Sequence, residues 1–323
     1  TAEDMKQPPL ARQLDSGRSN ILETFFGDPQ APGVFRKAFS FAVNNRRAFV
    51  RLGERVNVRE FLEEHDEAMN DALLAERLRL LILERFKSED RVMRGAPVRP
   101  PAIVAQEIID DASFEAKMRE IADAEQRPVP EVIEEARSSL LEIGADLKLW
   151  MVDLFSLVLT LVWARIYEGI EIDYEGLEKV KQAGRDTPVV VVPSHKSHID
   201  YLVISYIFHG NGIVPPHIAA GANLNFWPIG PLFRKAGAFF LRRTFKGQPV
   251  YAASFRAYLR KLLRDGHMLE FFPEGTRSRT GKLLPPKYGM LTQILAAVAD
   301  GEVEDVKLAP VNFGYERLIE EGA

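Results

Sequence analysis

Four consecutive valines, Val189 to Val192, closed by Pro193, divide this chain of 323 residues into two kinds of pattern. A short β-branched run stopped by proline is the signature of a buried strand. Ahead of it the pattern is helical only. Val34–Arg51, Val58–Phe86 and Ser113–Ala124 carry apolar residues at the 3.6 period, and a further helix begins near Pro130, where proline suits a first turn. Beyond Gly169, strand-like runs at Met268–Phe272 and Lys307–Phe313 alternate with helical patterns at Tyr201–Phe208, Val250–Arg264 and Tyr288–Ala299. The expected fold class is therefore α/β: a helical N-terminal domain over 33–168, then an α/β domain over 169–323 with a central mixed sheet flanked by helices. Residues 1–32, broken by Pro8-Pro9 and Asp28-Pro29, read as a loosely ordered lead-in.

The chain has no cysteine, which excludes disulfides, thiolate nucleophiles and cysteine-ligated metal centres. It begins without the basic-then-apolar pattern of a signal peptide and without Met, and it stops soon after a strand-like stretch, so it is expected to be a piece of a longer protein. The net charge of −4 conceals an asymmetry: Arg234 to Lys287 holds 13 Lys/Arg against 3 Asp/Glu, and the remainder holds 29 basic and 43 acidic residues. Such a basic segment fits an anionic partner, or a set of solvated helix faces.

Leu149–Ala164 is the most apolar stretch, with Asp153 its only charged residue. At 16 residues it falls short of the ~20 that span a bilayer. Trp150 and Trp163 lie at its ends, with Arg165 and Tyr167 just beyond, as interfacial anchors do. It reads either as a buried core helix or as a monotopic membrane contact.

Chemistry-bearing residues cluster at the ends of the expected strands. The first strand runs into Pro193-Ser194-His195-Lys196-Ser197-His198-Ile199-Asp200. His195 and Asp200 are five apart, which on a continuous helix puts them off a common face. They meet only if His195 precedes a helix and Asp200 sits in its first turns, with Ser197 a possible N-cap. A carboxylate so placed fixes the imidazole tautomer and leaves a general base. Two other readings stay open: Asp200 favouring a helix N-terminus and pairing with Lys196, or His195, His198 and Asp200 as metal ligands of a hydrolase.

Arg242 and Arg243 follow four apolar residues in Gly237-Ala238-Phe239-Phe240-Leu241. Guanidinium matches phosphate, but in an extended segment only one of the two can face a pocket. Phe271-Phe272-Pro273-Glu274-Gly275-Thr276-Arg277-Ser278 again joins a strand end to a turn, now with the inventory to hold a hydroxylated phosphate. Pro310 interrupts the last strand.

These blocks, in this order, resemble the four motifs of the glycerolipid acyltransferases with the HxxxxD motif. The wording His-Lys-Ser-His-Ile-Asp-Tyr and Gly-Ala-Phe-Phe-Leu-Arg-Arg-Thr-Phe-Lys-Gly is most similar to the bacterial membrane-bound glycerol-3-phosphate 1-O-acyltransferases, over about residues 189–315. The resemblance implies His195 as general base and Asp200 as its partner. It implies Arg242, Arg243, Glu274, Gly275, Thr276, Arg277, Ser278 and Pro310 in substrate binding. It further implies glycerol 3-phosphate as acceptor, acyl-CoA or acyl carrier protein as donor, no other cofactor and no metal. The implied setting is a phospholipid membrane surface, as a peripheral or monotopic protein on the cytoplasmic face of the bacterial inner membrane. No nucleic acid partner is expected, and a non-catalytic module that holds anionic lipid is the contrasting possibility. Asn312 is more polar than that family's last strand, and those enzymes continue for a long C-terminal region.

Overall fold

The computed structural model describes residues 55–63, 70–166, 170–197, 199–278 and 282–315. The expected lead-in 1–32 and the stretch Val34–Arg51 lie outside them, as do Tyr167 and His198. The described chain opens with helices α1 (Val58–Glu63), α2 (Asp71–Arg94), α3 (Pro101–Ile109), α4 (Ala112–Glu125), α5 (Val129–Ile143) and α6 (Leu149–Ile166). Then α7 (Tyr174–Asp186) leads into β1 (Val189–Pro193). Strands and helices alternate from there: α8 (Asp200–Gly210), β2 (His217–Gly221), α9 (Ile229–Lys235), β3 (Ala238–Leu241), α10 (Pro249–Arg264), β4 (Leu269–Glu270), α11 (Gly289–Ala299) and β5 (Lys307–Val311).

Local chemistry sets the helix starts. Where one helix was expected over Val58–Phe86 the described residues show α1 and α2, and an asparagine caps the start of each. Asn57 Oδ1 accepts the Arg59 N–H at 3.1 Å, and Asn70 Oδ1 accepts the Ala72 N–H at 3.0 Å. Asp111 does the same for α4, accepting from Ser113 and Phe114, and Asp173 for α7, accepting from Gly176 at 2.9 Å. Proline opens α3 and α5 instead, at Pro101 and Pro130, where a missing N–H removes no helix bond.

The five described strands form one sheet in the order β3-β2-β4-β1-β5, and every pair is parallel. The α/β expectation holds; the sheet is parallel where a mixed one was expected. Each successive pair of strands is separated by a helix that carries the chain back across a face, so every strand enters from the same end. The valine run shows the pleat directly. Val190 packs with Met118, Leu140, Ile143, Leu259 and Leu269 in a core under α3, α4, α5 and α10. Val189 and Val191 face the opposite way, onto Leu159, Leu177, Val203, Ile204 and Phe208 of α6, α7 and α8. The first of these cores runs from the helices over 101–143 straight into the sheet, so the change of pattern near residue 168 is a change of element type within shared packing.

On α6, Met151, Val152 and Leu159 are buried, while Trp150, Leu154, Leu157, Val158 and Leu161 are exposed, Leu161 by 67%. One face of this helix is core and the other is apolar surface. Among the described residues, no helix is long and apolar enough to cross a membrane.

Candidate active site

A parallel sheet delivers the C-terminal ends of all its strands to one edge, which is where α/β folds place their sites. The strand order here sets β1 between β4 and β5. The loop after β1 carries His195, the loop after β4 carries Glu274 to Ser278, and the segment after β5 carries Asn312 to Tyr315. These three therefore sit side by side. Arg242 and Arg243 leave β3, two strands beyond β4.

His195 lies in the loop and Asp200 is the first residue of α8, the arrangement their spacing required. His195 Nδ1 is 3.1 Å from Asp200 Oδ2. The carboxylate is fully buried and saturated with donors. Oδ2 also accepts the backbone N–H groups of Lys196 at 2.7 Å and Ser197 at 2.9 Å, and Oδ1 accepts the Tyr315 hydroxyl. With Nδ1–H directed at this carboxylate, Nε2 is left as the basic nitrogen. Phe272 stacks against the imidazole at 4.2 Å between ring centroids and limits its rotation.

The N-cap of α8 is Ile199, without a side-chain cap, rather than Ser197. The suggested pairing of Asp200 with Lys196 takes another form. Lys196 gives Asp200 its backbone N–H, and its ammonium goes to the Phe313 carbonyl and, at 3.5 Å, to Asn312 Oδ1. Asn312 also lies 3.2 Å from Ser194 Oγ, and the Phe313 N–H reaches that hydroxyl at 3.3 Å. The polarity of Asn312 is thus accounted for: it ties the end of β5 to the loop that bears His195.

Glu274 was expected in substrate binding. It is buried, and both of its oxygens are taken by backbone: Oε1 by the His195 N–H at 2.8 Å, Oε2 by the Leu284 N–H at 2.9 Å. Ser278 likewise serves the frame, its N–H donating to the His195 carbonyl at 2.8 Å while its side chain is buried. These two bonds clamp the histidine loop from the β4 side. Pro310 is not brought to the site. It lies exposed in β5, opposite Val192 at the edge of the described sheet, where a missing N–H interrupts no ladder.

A cavity of about 1000 Å³ opens at this edge. His195, Arg242, Arg243, Gly275, Thr276 and Arg277 all line it, so the expected residues converge except for Glu274, Ser278 and Pro310, with Asp200 buried behind His195. Arg242 is already committed. It forms a bidentate pair with Glu142 (Nε to Oε1 2.8 Å), bonds Gln248, and lies 4.3 Å from the Tyr251 ring centroid. Arg243 has no such partner among the described residues, which makes it the member of the pair open to a ligand. Lys287 and Arg256 also border the cavity, so among the described residues five Lys/Arg cations line it and no carboxylate does. Apolar side chains line it as well: Val152, Phe155 and Leu159 of α6, Phe233 of α9 and Phe255 of α10.

Sequence reading does not single out Tyr315, Lys287 or Glu142. Tyr315 follows the last block with no periodicity to mark it, and Lys287 stands only as the end of a basic segment. Glu270, shortly before the third block, is also new. It is fully buried on β4, opposite Val191 and Ile218, and neither carboxylate oxygen has a hydrogen-bond partner among the described residues. Burial first, then the charge of Asp200, raises its pKa well above the usual carboxylate range, which favours the protonated form. Among the described residues no group of three His, Asp or Glu side chains is placed to hold a metal; His198, the third member of the metal reading, lies outside them.

Residues 171–314, which hold the histidine–carboxylate dyad at the edge of the parallel sheet, match the family model described as Acyltransferase. Over most of its length the chain is similar to glycerol-3-phosphate acyltransferases. It is 38% identical over 291 residues to that of Aeromonas hydrophila, covering 90% of this chain and 35% of the relative. It is 39% identical over 317 residues to that of Shewanella loihica, covering 96% and 37%. The chain thus spans little more than a third of the length of these curated relatives. A solved 1-acyl-sn-glycerophosphate (LPA) acyltransferase from Thermotoga maritima is matched with a TM-score of 0.28 at 20% identity, covering 46% of this chain and 69% of that one.

Proposed function

We propose that this chain transfers a fatty acyl group from an acyl thioester, acyl-CoA or acyl carrier protein, to the 1-hydroxyl of sn-glycerol 3-phosphate, forming lysophosphatidic acid. The observation that carries this reading is the opening of the His195–Asp200 dyad onto a cavity lined by both cations and apolar side chains. Nε2 of His195 takes the proton of the acceptor hydroxyl as its oxygen attacks the thioester carbonyl. The imidazolium that forms is stabilised by Asp200. When the tetrahedral oxyanion collapses, the imidazolium returns the proton to the departing thiolate, and the base is regenerated. No acyl-enzyme and no cofactor beyond the donor take part. Arg243 and Arg277 receive the acceptor phosphate, and the apolar side chains receive the acyl chain.

The reading includes a membrane surface as partner, on the cytoplasmic face of the bacterial inner membrane. It is supported by the exposed apolar face of α6, whose other residues line the cavity, and by Phe226 and Trp227 just before α9, exposed by 53% and 85%. α6 and α9 pack together through Phe155 and Phe233, with ring centroids 6.2 Å apart. An acyl chain drawn from a bilayer would reach the dyad along that seam.

The test is thiol release from a long-chain acyl-CoA in phospholipid micelles, with and without glycerol 3-phosphate, for the chain and for His195→Ala. Acceptor-dependent release is expected, reduced on the order of a thousandfold or more in a variant with an unchanged circular dichroism spectrum. Release that ignores the acceptor, or that survives the substitution, would refute the assignment.

A further inference from the structure

The cavity holds more positive charge than the motif residues account for, and Lys287 is the unexplained part. Its backbone N–H donates to the Pro273 carbonyl at 2.7 Å, which fastens it to the turn that carries Gly275 and Arg277. Its stem then crosses Gly275. A Cβ at that glycine would lie 2.8 Å from Lys287 Cδ and 3.2 Å from Nζ, and the glycine holds φ at +63°, in the region that L side chains avoid. Glycine at 275 therefore does two things: it makes the turn and it leaves the track along which the lysine reaches.

Neighbouring cations are mostly satisfied. Arg242 is paired with Glu142, Arg256 donates to Gln293 at 3.0 Å, Arg260 is paired with Asp300 and Glu302, and Lys261 with Asp265. The Lys287 ammonium has no hydrogen-bond or ion-pair partner among the described residues, and no carboxylate lines the cavity it borders. Lys287 shares the cavity with Arg242, Arg243, Arg256 and Arg277, a cationic lining that draws an anion.

We propose that Lys287 is a phosphate-binding residue of this site, its ammonium carried over Gly275 to a phosphate monoester of a bound substrate, with Arg243 and Arg277 on the same cavity. The assignment rests on the acyl-transfer reading for the identity of its substrates. The phosphate can belong to the acceptor or to an acyl-CoA donor, and the two sources are separable.

The experiment compares the full chain with Lys287→Met, which keeps the stem and removes the charge, and with Lys287→Arg. Binding is read first, by calorimetry with glycerol 3-phosphate and with CoA as separate probes, so that the result does not depend on turnover. One charge-assisted bond corresponds to about a ten- to hundredfold change in Kd. That loss is expected for Lys287→Met with glycerol 3-phosphate if the acceptor phosphate is the ligand, or with CoA if the donor's is, and Lys287→Arg should recover most of it. In the thiol-release assay the same variant should raise the corresponding KM by a similar factor and change kcat by less than about threefold. A donor without phosphate, an acyl N-acetylcysteamine thioester, should erase any effect that belongs to the donor. In a Gly275→Ala background, where the track is filled, Lys287→Met should cost less than it does alone. Unchanged affinity for both probes would overturn the role of Lys287. Absence of acceptor-dependent turnover in the unaltered chain, with the binding loss intact, would instead count against the acyl-transfer reading and leave the lysine's role standing.

Discussion

Replacing Asp200 by Asn tests the dyad with little disturbance to its frame. Three donors converge on Oδ2, from His195, Lys196 and Ser197, and one on Oδ1, from Tyr315. An amide oxygen can occupy the three-donor position, and its NH₂ then meets the Tyr315 hydroxyl, which can turn to accept. Every bond in the loop survives, and only the negative charge is lost. That charge matters when His195 has taken a proton. At 3.1 Å and an effective dielectric of ~20, the attraction between carboxylate and imidazolium is about 5 kcal/mol, a ceiling of roughly 10⁴ in rate at about 1.36 kcal/mol per decade. Asp200→Asn should therefore lower kcat by about 10³ to 10⁴ while KM for glycerol 3-phosphate moves by less than about threefold. The assay is acceptor-dependent thiol release, with the melting temperature of the variant measured alongside. A kcat within about tenfold of the unaltered chain, at unchanged melting temperature, would refute the electrostatic role of Asp200.

Two further predictions concern buried groups and the pH dependence of stability. Glu270 has a folded-state pKa raised by burial and by Asp200, so its contribution is fully present below the unfolded value near 4.5 and is lost as pH rises. Glu270→Gln removes that loss, and denaturant titrations should show the variant gaining stability relative to the parent as pH rises from about 5 to about 8; the same difference at both pH values would contradict it. His217 is pushed down to about 3 by burial and then by His267, whose rings meet edge-on at 4.7 Å, and His267 is itself lowered to about 4. Both contribute stability above the unfolded value of 6.5 that is lost as pH falls toward 4. His217→Leu should flatten that decline by up to ~1.4 kcal/mol per pH unit, and an unaltered slope between pH 6.5 and about 4 would show that the imidazole is not buried neutral.

What was legible in the sequence follows from how each element declares itself. β1 was plain because both of its faces are covered, which demands a continuous β-branched run, and α10 was plain because one face is buried along its whole length. β2, His-Ile-Ala-Ala-Gly, was not found, since its small residues form neither an alternation nor an apolar run. α9 escaped for its brevity, seven residues shortly after Pro228 and ending just before Gly237. The pairing of strands was illegible as well, and it is the pairing that explains the site. Only the order β4-β1-β5 places the glutamate of the third block and the asparagine after the fourth on either side of the histidine loop.

That placement divides the motif residues differently from their sequence blocks. A strand end opens into a loop whose backbone is unpaired, and a base must be held there within a few tenths of an ångström to work. In this chain the loop from Ser194 to Ser197 is held at five points. Glu274 takes the His195 N–H and the Ser278 N–H takes its carbonyl. Asp200 takes the next two N–H groups, and the Val311 carbonyl takes the Ser194 N–H at 2.9 Å. Charged and polar residues close to a base invite the reading that they touch substrate. Glu274 and Asn312 accept hydrogen bonds from the frame, and so their removal should displace His195. Arg243, Arg277 and Lys287 stand outside that frame, on the cavity. Asp200, Glu274 and Asn312 meet the loop that carries His195, whereas Arg243 and Lys287 meet the cavity.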